Sequence, residues 1–170
     1  EERLVLQRAS VVGRIFWDRA ITSLRAEGDE PLEDVSPLLA SLRKRELIRA
    51  REKSAFAGTE EYIFKHAILR DVTYESVLRR LRRVYHAQVA AWLVERSGDR
   101  IGEYTGLIAE HYERSGETRK AVTYLNRAAE QALNISAYRE AIGLLERALS
   151  LVVEDTYQEE MQAQEAMLKW

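Results

Sequence analysis

A mainly α chain in two modules, interrupted once by a short β hairpin, is the architecture the sequence predicts, and three observations carry that expectation. Apolar residues recur at three- and four-residue spacing through most of the chain, the signature of amphipathic helices. The period changes to two only between Leu47 and Phe64. Charge is unevenly spread: residues 1–97 hold 18 Lys and Arg against 15 Asp and Glu, and residues 98–170 hold 8 against 13.

At 170 residues, 46% hydrophobic and 32% charged, the chain is long enough to bury one or two ordinary cores. It has no cysteine, which excludes a disulfide framework, a thiolate zinc site and a cysteine nucleophile, and this composition suits a reducing cytoplasm. His66, His86 and His111 offer no pair at metal-ligand spacing on one helix, so no metal site is expected. No stretch approaches the roughly twenty apolar residues that span a bilayer, and Glu1-Glu-Arg-Leu-Val-Leu6 lacks the basic and apolar regions of a signal peptide. A soluble, cytoplasmic chain is expected. It opens on a glutamate inside an apparent helix and stops at Lys169-Trp170 inside another, so it reads as a segment of a longer protein.

The elements follow in order. Leu4, Leu6, Val11 and Val12 give an apolar face to a helix from about Glu2, with Gly13 as its left-handed cap. A second helix is expected from Trp17 to Glu27, with Trp17, Ala20, Ile21 and Leu24 inward, ending at the Gly28–Pro31 turn signal. Ser36-Pro37 supplies an N-cap and a first-turn proline for a third helix over Pro37–Lys44, burying Leu38, Leu39 and Leu42. Leu47–Lys53 and Glu61–Phe64 then read as two strands joined by the Ser54–Thr59 loop with its Gly58. Three helices and a two-stranded hairpin make the order of a winged-helix domain, placed at residues 1–76.

Beyond the hairpin, His66–Ser76 is expected to be helical. A connecting helix, placed within residues 77–101, should run from about Leu78 to Arg96. It should bury Leu81, Val84, Tyr85, Val89, Trp92 and Leu93, present Arg79, Arg80, Arg82 and Arg83 outward, and close at Gly98. Residues 102–170 read as irregular helical repeats. One helix carries Tyr104, Leu107, Ile108, His111 and Tyr112 and ends at Ser115-Gly116. The next carries Ala121-x3-Leu125-x2-Ala128, a pattern that recurs as Ala141-x3-Leu145-x2-Ala148. This spacing resembles the second helix of the tetratricopeptide repeat (TPR), with an offset of 20 residues in place of about 34. Tyr157, Met161, Met167 and Trp170 are expected to start a further helix.

Taken together, Leu47-Ile48-Arg49, Ala55-Phe56-Ala57-Gly58, Tyr62-Ile-Phe-Lys-His66, Arg70-Asp71, Tyr74-Glu75-Ser76 and His111-Tyr112-Glu113-Arg114-Ser115-Gly116 resemble the middle region of large bacterial signalling ATPases. In that family an AAA-type (STAND) NTPase is followed by a winged helix and TPR-like repeats, often with an adenylate/guanylate cyclase domain ahead of it. Lys65-His66-Ala67-Ile68-Leu69-Arg70-Asp71 is similar to the Met-His-Asp motif of related STAND proteins, with Lys65 in place of methionine and Ala67 in place of aspartate. The resemblance implies that His66 contacts the β-phosphate of ADP. It also implies that ATP or ADP is bound by an upstream domain rather than within this chain. A non-catalytic regulatory segment is then expected, with the winged helix docking on the NTPase domain and the repeats binding protein partners.

The residues alone leave two roles open for His66. Near the first turn of a helix, unpaired amides and the positive dipole end favour an anion, while the same position also suits a residue that only packs or caps. A second reading, DNA binding by the winged helix of a transcriptional regulator, rests on Arg43, Lys44 and Arg45 with Arg49, Arg51 and Lys53. Glu46, Glu52 and a pI of about 6.0 count against it, and a solvated or interdomain face is preferred. No phosphate-cradling or dinucleotide-binding glycine loop occurs, nor any nucleophile and base at interpretable spacing, so no catalysis is expected.

Overall fold

The structure, a computed structural model, describes residues 1–26, 32 and 34–168, and their side chains except 159, 160 and 162–168. It divides into two compact units, Glu1–Ser97 and Gly98–Trp170. Both are mainly helical, and the first contains a small three-stranded sheet.

In the first unit, helix α1 (Glu2–Val12) turns Val5, Ala9 and Val12 into the core, at i, i+4 and i+7. Leu4 and Leu6, expected inward, are only half-buried because the inward stripe passes through Val5. Gly13 ends the helix with its amide on the Ala9 carbonyl at 3.0 Å, but at φ 151° and ψ −169° it is not the expected left-handed cap. A Cβ at this position would lie 3.2 Å from the Ile15 carbonyl oxygen, so the position suits glycine and sends the chain straight into a strand.

That strand, β1 (Ile15–Trp17), occupies residues expected to lead into a helix. Helix α2 covers only Asp18–Ser23, with Trp17 extended at its N-cap (φ −120°, ψ 142°). Ile-Phe-Trp is a good strand former once a partner exists, and the partner lies more than forty residues away in sequence. The expected Gly28–Pro31 turn lies outside the described residues. Helix α3 (Ser36–Lys44) buries Leu39 and Leu42, with Pro37 in its first turn. Ser36 is not its cap; the Asp34 carboxylate accepts the Ser36 amide at 2.9 Å, and hydrogen bonds from the Ser36 side chain and then its amide hold the Asp34 pKa below its ordinary range.

Strand β2 is shorter than expected, Ile48–Ala50, and β3 is Glu61–Phe64. The sheet order is β1-β3-β2, antiparallel throughout, with Phe16 opposite Tyr62 and Arg49 opposite Ile63. The expected two-stranded hairpin is therefore a three-stranded sheet with β3 at its centre. Phe16 packs on Tyr62 and Phe64 at centroid separations of 5.8 and 5.2 Å. Alternation puts Trp17 and Glu61 on the opposite face. There the buried Glu61 carboxylate accepts the Trp17 indole N–H (2.8 Å), the Ala55 amide (2.8 Å) and the Arg51 guanidinium (2.7 Å). Trp17, Phe56 and Trp92 close over this site with centroids 5.0–5.5 Å apart.

Helix α4 (Ala67–Glu75) leads to α5 (Arg79–Ser97), which buries Tyr85, His86, Val89, Trp92 and Leu93. Three residues depart from expectation here, the first being Leu81, which is only half-buried. Val84 is exposed, and Arg82 folds back so that its Nε donates to the Val77 carbonyl at 2.8 Å.

The second unit begins with Gly98 at φ 48° and a short 3-10 turn, Gly98–Arg100. Helix α6 (Ile101–Ser115) stops at Gly116 in the left-handed conformation expected of it (φ 83°), and α7 covers Thr118–Asn134. Both α6 and α8 (Tyr138–Leu168) pack on α7. Ala109, Leu125 and Ala148, one from each helix, meet in a core cluster, and Ala129, Ala132 and Ala141 form a second. Leu145, the counterpart of buried Leu125 in the recurring pattern, is 45% exposed. The tail does not start another helix: Tyr157, Met161 and Met167 continue α8 without a break, and Trp170 lies outside the described residues.

Replacing Glu61 with leucine removes the acceptor of the buried Trp17 indole N–H, the carboxylate that the Ala55 amide meets and the partner of the half-exposed Arg51. The variant is expected to lose about 2–4 kcal/mol of stability in denaturant unfolding followed by tryptophan emission. A loss within about 0.5 kcal/mol, the spread of ordinary surface substitutions, would show that the carboxylate is dispensable.

Candidate functional site

His66 is the residue between β3 and α4. Its backbone is extended (φ −126°, ψ 132°), its carbonyl accepts the Arg70 amide at 3.4 Å, and its imidazole is exposed and makes no side-chain cap hydrogen bond. The first turn of α4 thus has no cap from the His66 side chain, and the exposed ring stands near enough to the Glu46 carboxylate to interact with it electrostatically. Lys65, just before it, is held twice: its amide bonds the Leu47 carbonyl at 3.0 Å, and its ammonium meets the Glu46 carboxylate at 2.6 Å. Glu46 has a positive φ of 57°, which turns the chain from α3 into β2.

Arg70, one turn beyond His66, does not join it in a common anion site. Its Nε donates to the Ser10 carbonyl of α1 at 2.9 Å, a second nitrogen meets Asp71 at 3.2 Å, and its guanidinium lies 4.7 Å from the Tyr74 ring centroid. Arg82 covers the same ring, also at 4.7 Å, and the Tyr74 hydroxyl shares a 2.9 Å hydrogen bond with Nε2 of the buried His86. These contacts tie α4 to α1 and α5, although α4 has no fully buried residue of its own. Ile68 and Val72, one turn apart, are 71% and 63% exposed. Sequence reasoning missed Ser10, Tyr74, Arg82 and His86 as members of this network, because the contacts join residues up to sixty positions apart.

The six basic residues separate into three groups. Arg45 pairs with Glu2 at 2.5 Å and Arg51 with Glu61 at 2.7 Å, while Lys53 is exposed in the loop after β2. Arg43, Lys44 and Arg49 line one open trough of about 500 Å³, floored by Ala40, Ile48 and Ala50. Among the described residues, no group of three His, Cys, Asp or Glu side chains is arranged to hold a metal ion, and no helix is long and apolar enough to cross a membrane.

No family model and no solved structure matches the chain. It is similar to an uncharacterized protein of Rhizobium meliloti (strain 1021), 34% identical over 94 residues. The match covers 55% of this chain and 9% of that relative's length.

The carboxylate beside His66 provides a pH test. The hydrogen bond from Lys65, then its charge, hold the Glu46 pKa below the ordinary 4.5. A lowered folded-state pKa means that the pair's contribution is present above 4.5 and is lost as pH falls through the lowered value. Carboxyl-carbon NMR is expected to give Glu46 a midpoint under 4.5 that rises in Lys65→Ala; equal midpoints in the two proteins would refute the pairing.

Proposed function

We propose that this chain is a non-catalytic regulatory and interaction segment of a cytoplasmic multidomain signalling ATPase of the cyclase-linked STAND type. In this reading, residues 1–76 form a winged helix that docks on an upstream nucleotide-binding domain, and the helices of residues 102–170 are TPR-like and bind protein partners. The observation that carries the reading is the placement of His66, an exposed imidazole at the open N-terminal end of α4. A phosphate brought there by another domain meets unpaired amides, the positive end of the helix dipole and a ring that can donate to it. The exposed Ile68 and Val72 extend the same surface with apolar area for a docked domain.

Three further features support the reading. The order of three helices, a hairpin and a helix is kept, with β1 added to the hairpin. The antiparallel α6-α7-α8 array joins through short turns and alanine-rich contacts, as stacked helical repeats do. The trough lined by Arg43, Lys44 and Arg49 holds no Asn, Gln or aromatic side chain among the described residues, so a set that reads adenine or stacks on bases is not in place there.

In the longer protein, His66→Ala is expected to weaken ADP retention by roughly 5- to 150-fold, the usual span of an interdomain coupling. Retention equal to wild type, with unchanged signalling output, would remove His66 from this role. The chain itself is expected to hydrolyse no ATP and to form no cyclic nucleotide; turnover by a clean preparation that survives His66→Ala and scales with protein concentration would contradict the non-catalytic reading.

A further inference from the structure

The second unit leaves a side of α8 uncovered. Ile135, at the C-terminal end of α7, and Tyr138, Ile142, Leu145, Leu149 and Val152 of α8 are 45–76% exposed and recur at alternating steps of three and four residues, the spacing of a coiled-coil seam. The face that α8 turns to α7 is a different one, made by Ala141, Leu144 and Ala148. Two charges flank the open row on one side, Arg139 and Glu146, each directly after a row residue and two helical turns apart. Both are exposed. Among the described residues, the ion pairs of this unit are Arg100–Glu103, Arg114–Glu110, Lys120–Glu117 and Arg147–Glu113, and they include neither.

A row stepped in this way reads the same from either end. Turned end for end about a point between Ile142 and Leu145, it meets itself, with Ile142 beside Leu145 of a second copy, Tyr138 beside Leu149 and Ile135 beside Val152. In that antiparallel register each flank faces the same flank of the other helix, so Arg139 of each copy stands opposite Glu146 of the other and two ion pairs form at once. A parallel pairing would set these charges against Ala141 and Ala148, which are already buried on α7. We propose that the Ile135–Val152 row is a self-association surface, through which two copies of the chain pair with their α8 helices antiparallel. Pairing removes apolar area from water on both copies and gives Arg139 and Glu146 their partners. Stacked helices stay apart when their outer face is polar, and on α8 that face is apolar. The surface lies in the second unit and does not depend on the role proposed for His66.

The test is sedimentation equilibrium of the full chain from roughly micromolar to millimolar concentration. A monomer–dimer equilibrium is expected, weakened on the order of a hundredfold in Leu145→Glu, which sets a carboxylate against Ile142 of the other copy twice in each dimer. Arg139→Glu should weaken it about tenfold by turning two attractive pairs into repulsive ones. Arg139→Glu/Glu146→Arg should restore it, because the pairs form again with their charges exchanged. Glu154→Lys, which reverses an exposed charge on the far side of α8, should leave association unchanged. Far-ultraviolet dichroism checks that each variant keeps its helix content; should Leu145→Glu lose helix, the charge exchange at Arg139 and Glu146 still decides. The proposal is overturned by a chain that stays monomeric throughout, by assembly that grows past the dimer, by a folded Leu145→Glu protein that associates as tightly as wild type, or by failure of the charge exchange to restore what Arg139→Glu loses.

Discussion

One buried carboxylate fixes the geometry on which the first unit depends. Glu61 sits on the central strand, and its three donors come from β1, from the start of the β2–β3 loop and from within that loop. A buried anion is tolerated only when fully bonded, so the requirement to satisfy Glu61 sets where Trp17, Arg51 and Ala55 lie. Trp17 then presents its ring to Phe56 and Trp92, and the loop and α5 are drawn onto the same face of the sheet. Apolar burial supplies the driving force here, but it is non-directional. The hydrogen bonds of Glu61 choose one arrangement among those that would bury the same rings.

What the residues disclosed in advance follows from the range of the interactions involved. Helices α3, α6 and α7 were legible because a 3.6-residue period and a glycine or proline at a helix boundary act within one or two turns; Gly116 at the end of α6 and Pro37 at the start of α3 are examples. β1 was not legible, because three residues carry no period and its pairing with β3 is long-range. Glu61 was hidden for the same reason: in sequence it is an acid at a strand start, and its donors become visible only in the fold. At the candidate site, the position of His66 before α4 could be read from the strand-to-helix switch. The commitment of Arg70 to Ser10 could not, since no local signal links them.

The second unit shows what a repeated pattern encodes. Ala121-x3-Leu125-x2-Ala128 and Ala141-x3-Leu145-x2-Ala148 have equal spacing, yet Leu125 is fully buried and Leu145 is 45% exposed. α7 has a helix on either side, whereas α8 meets α7 through Ala141, Leu144, Ala148 and Leu151. Ile142, Leu145, Leu149 and Val152 form a neighbouring row that stays exposed. Spacing therefore determines which residues share a face, and neighbours determine whether that face is covered. In solenoids each helix pair stabilises the next, and such a row is where another element would stack.

The way α4 is held bears on how His66 could report on a ligand. A helix anchored by several fully buried leucines would resist displacement by many kcal/mol, and a single phosphate contact would be too weak to shift it. The polar contacts of α4 include Arg70 on Ser10, Tyr74 on His86, Glu75 with Arg82 and two guanidiniums on the Tyr74 ring, beside half-buried Leu69 and Thr73. Exposed or half-buried cation–π contacts contribute about 0.5–1 kcal/mol each and hydrogen bonds about 1 kcal/mol net. In the proposed reading, a ligand would shift α4 only by as much as its affinity differed between two positions of the helix. Directional polar contacts, with the half-buried Leu69, Thr73 and Tyr74, are what hold α4 in place.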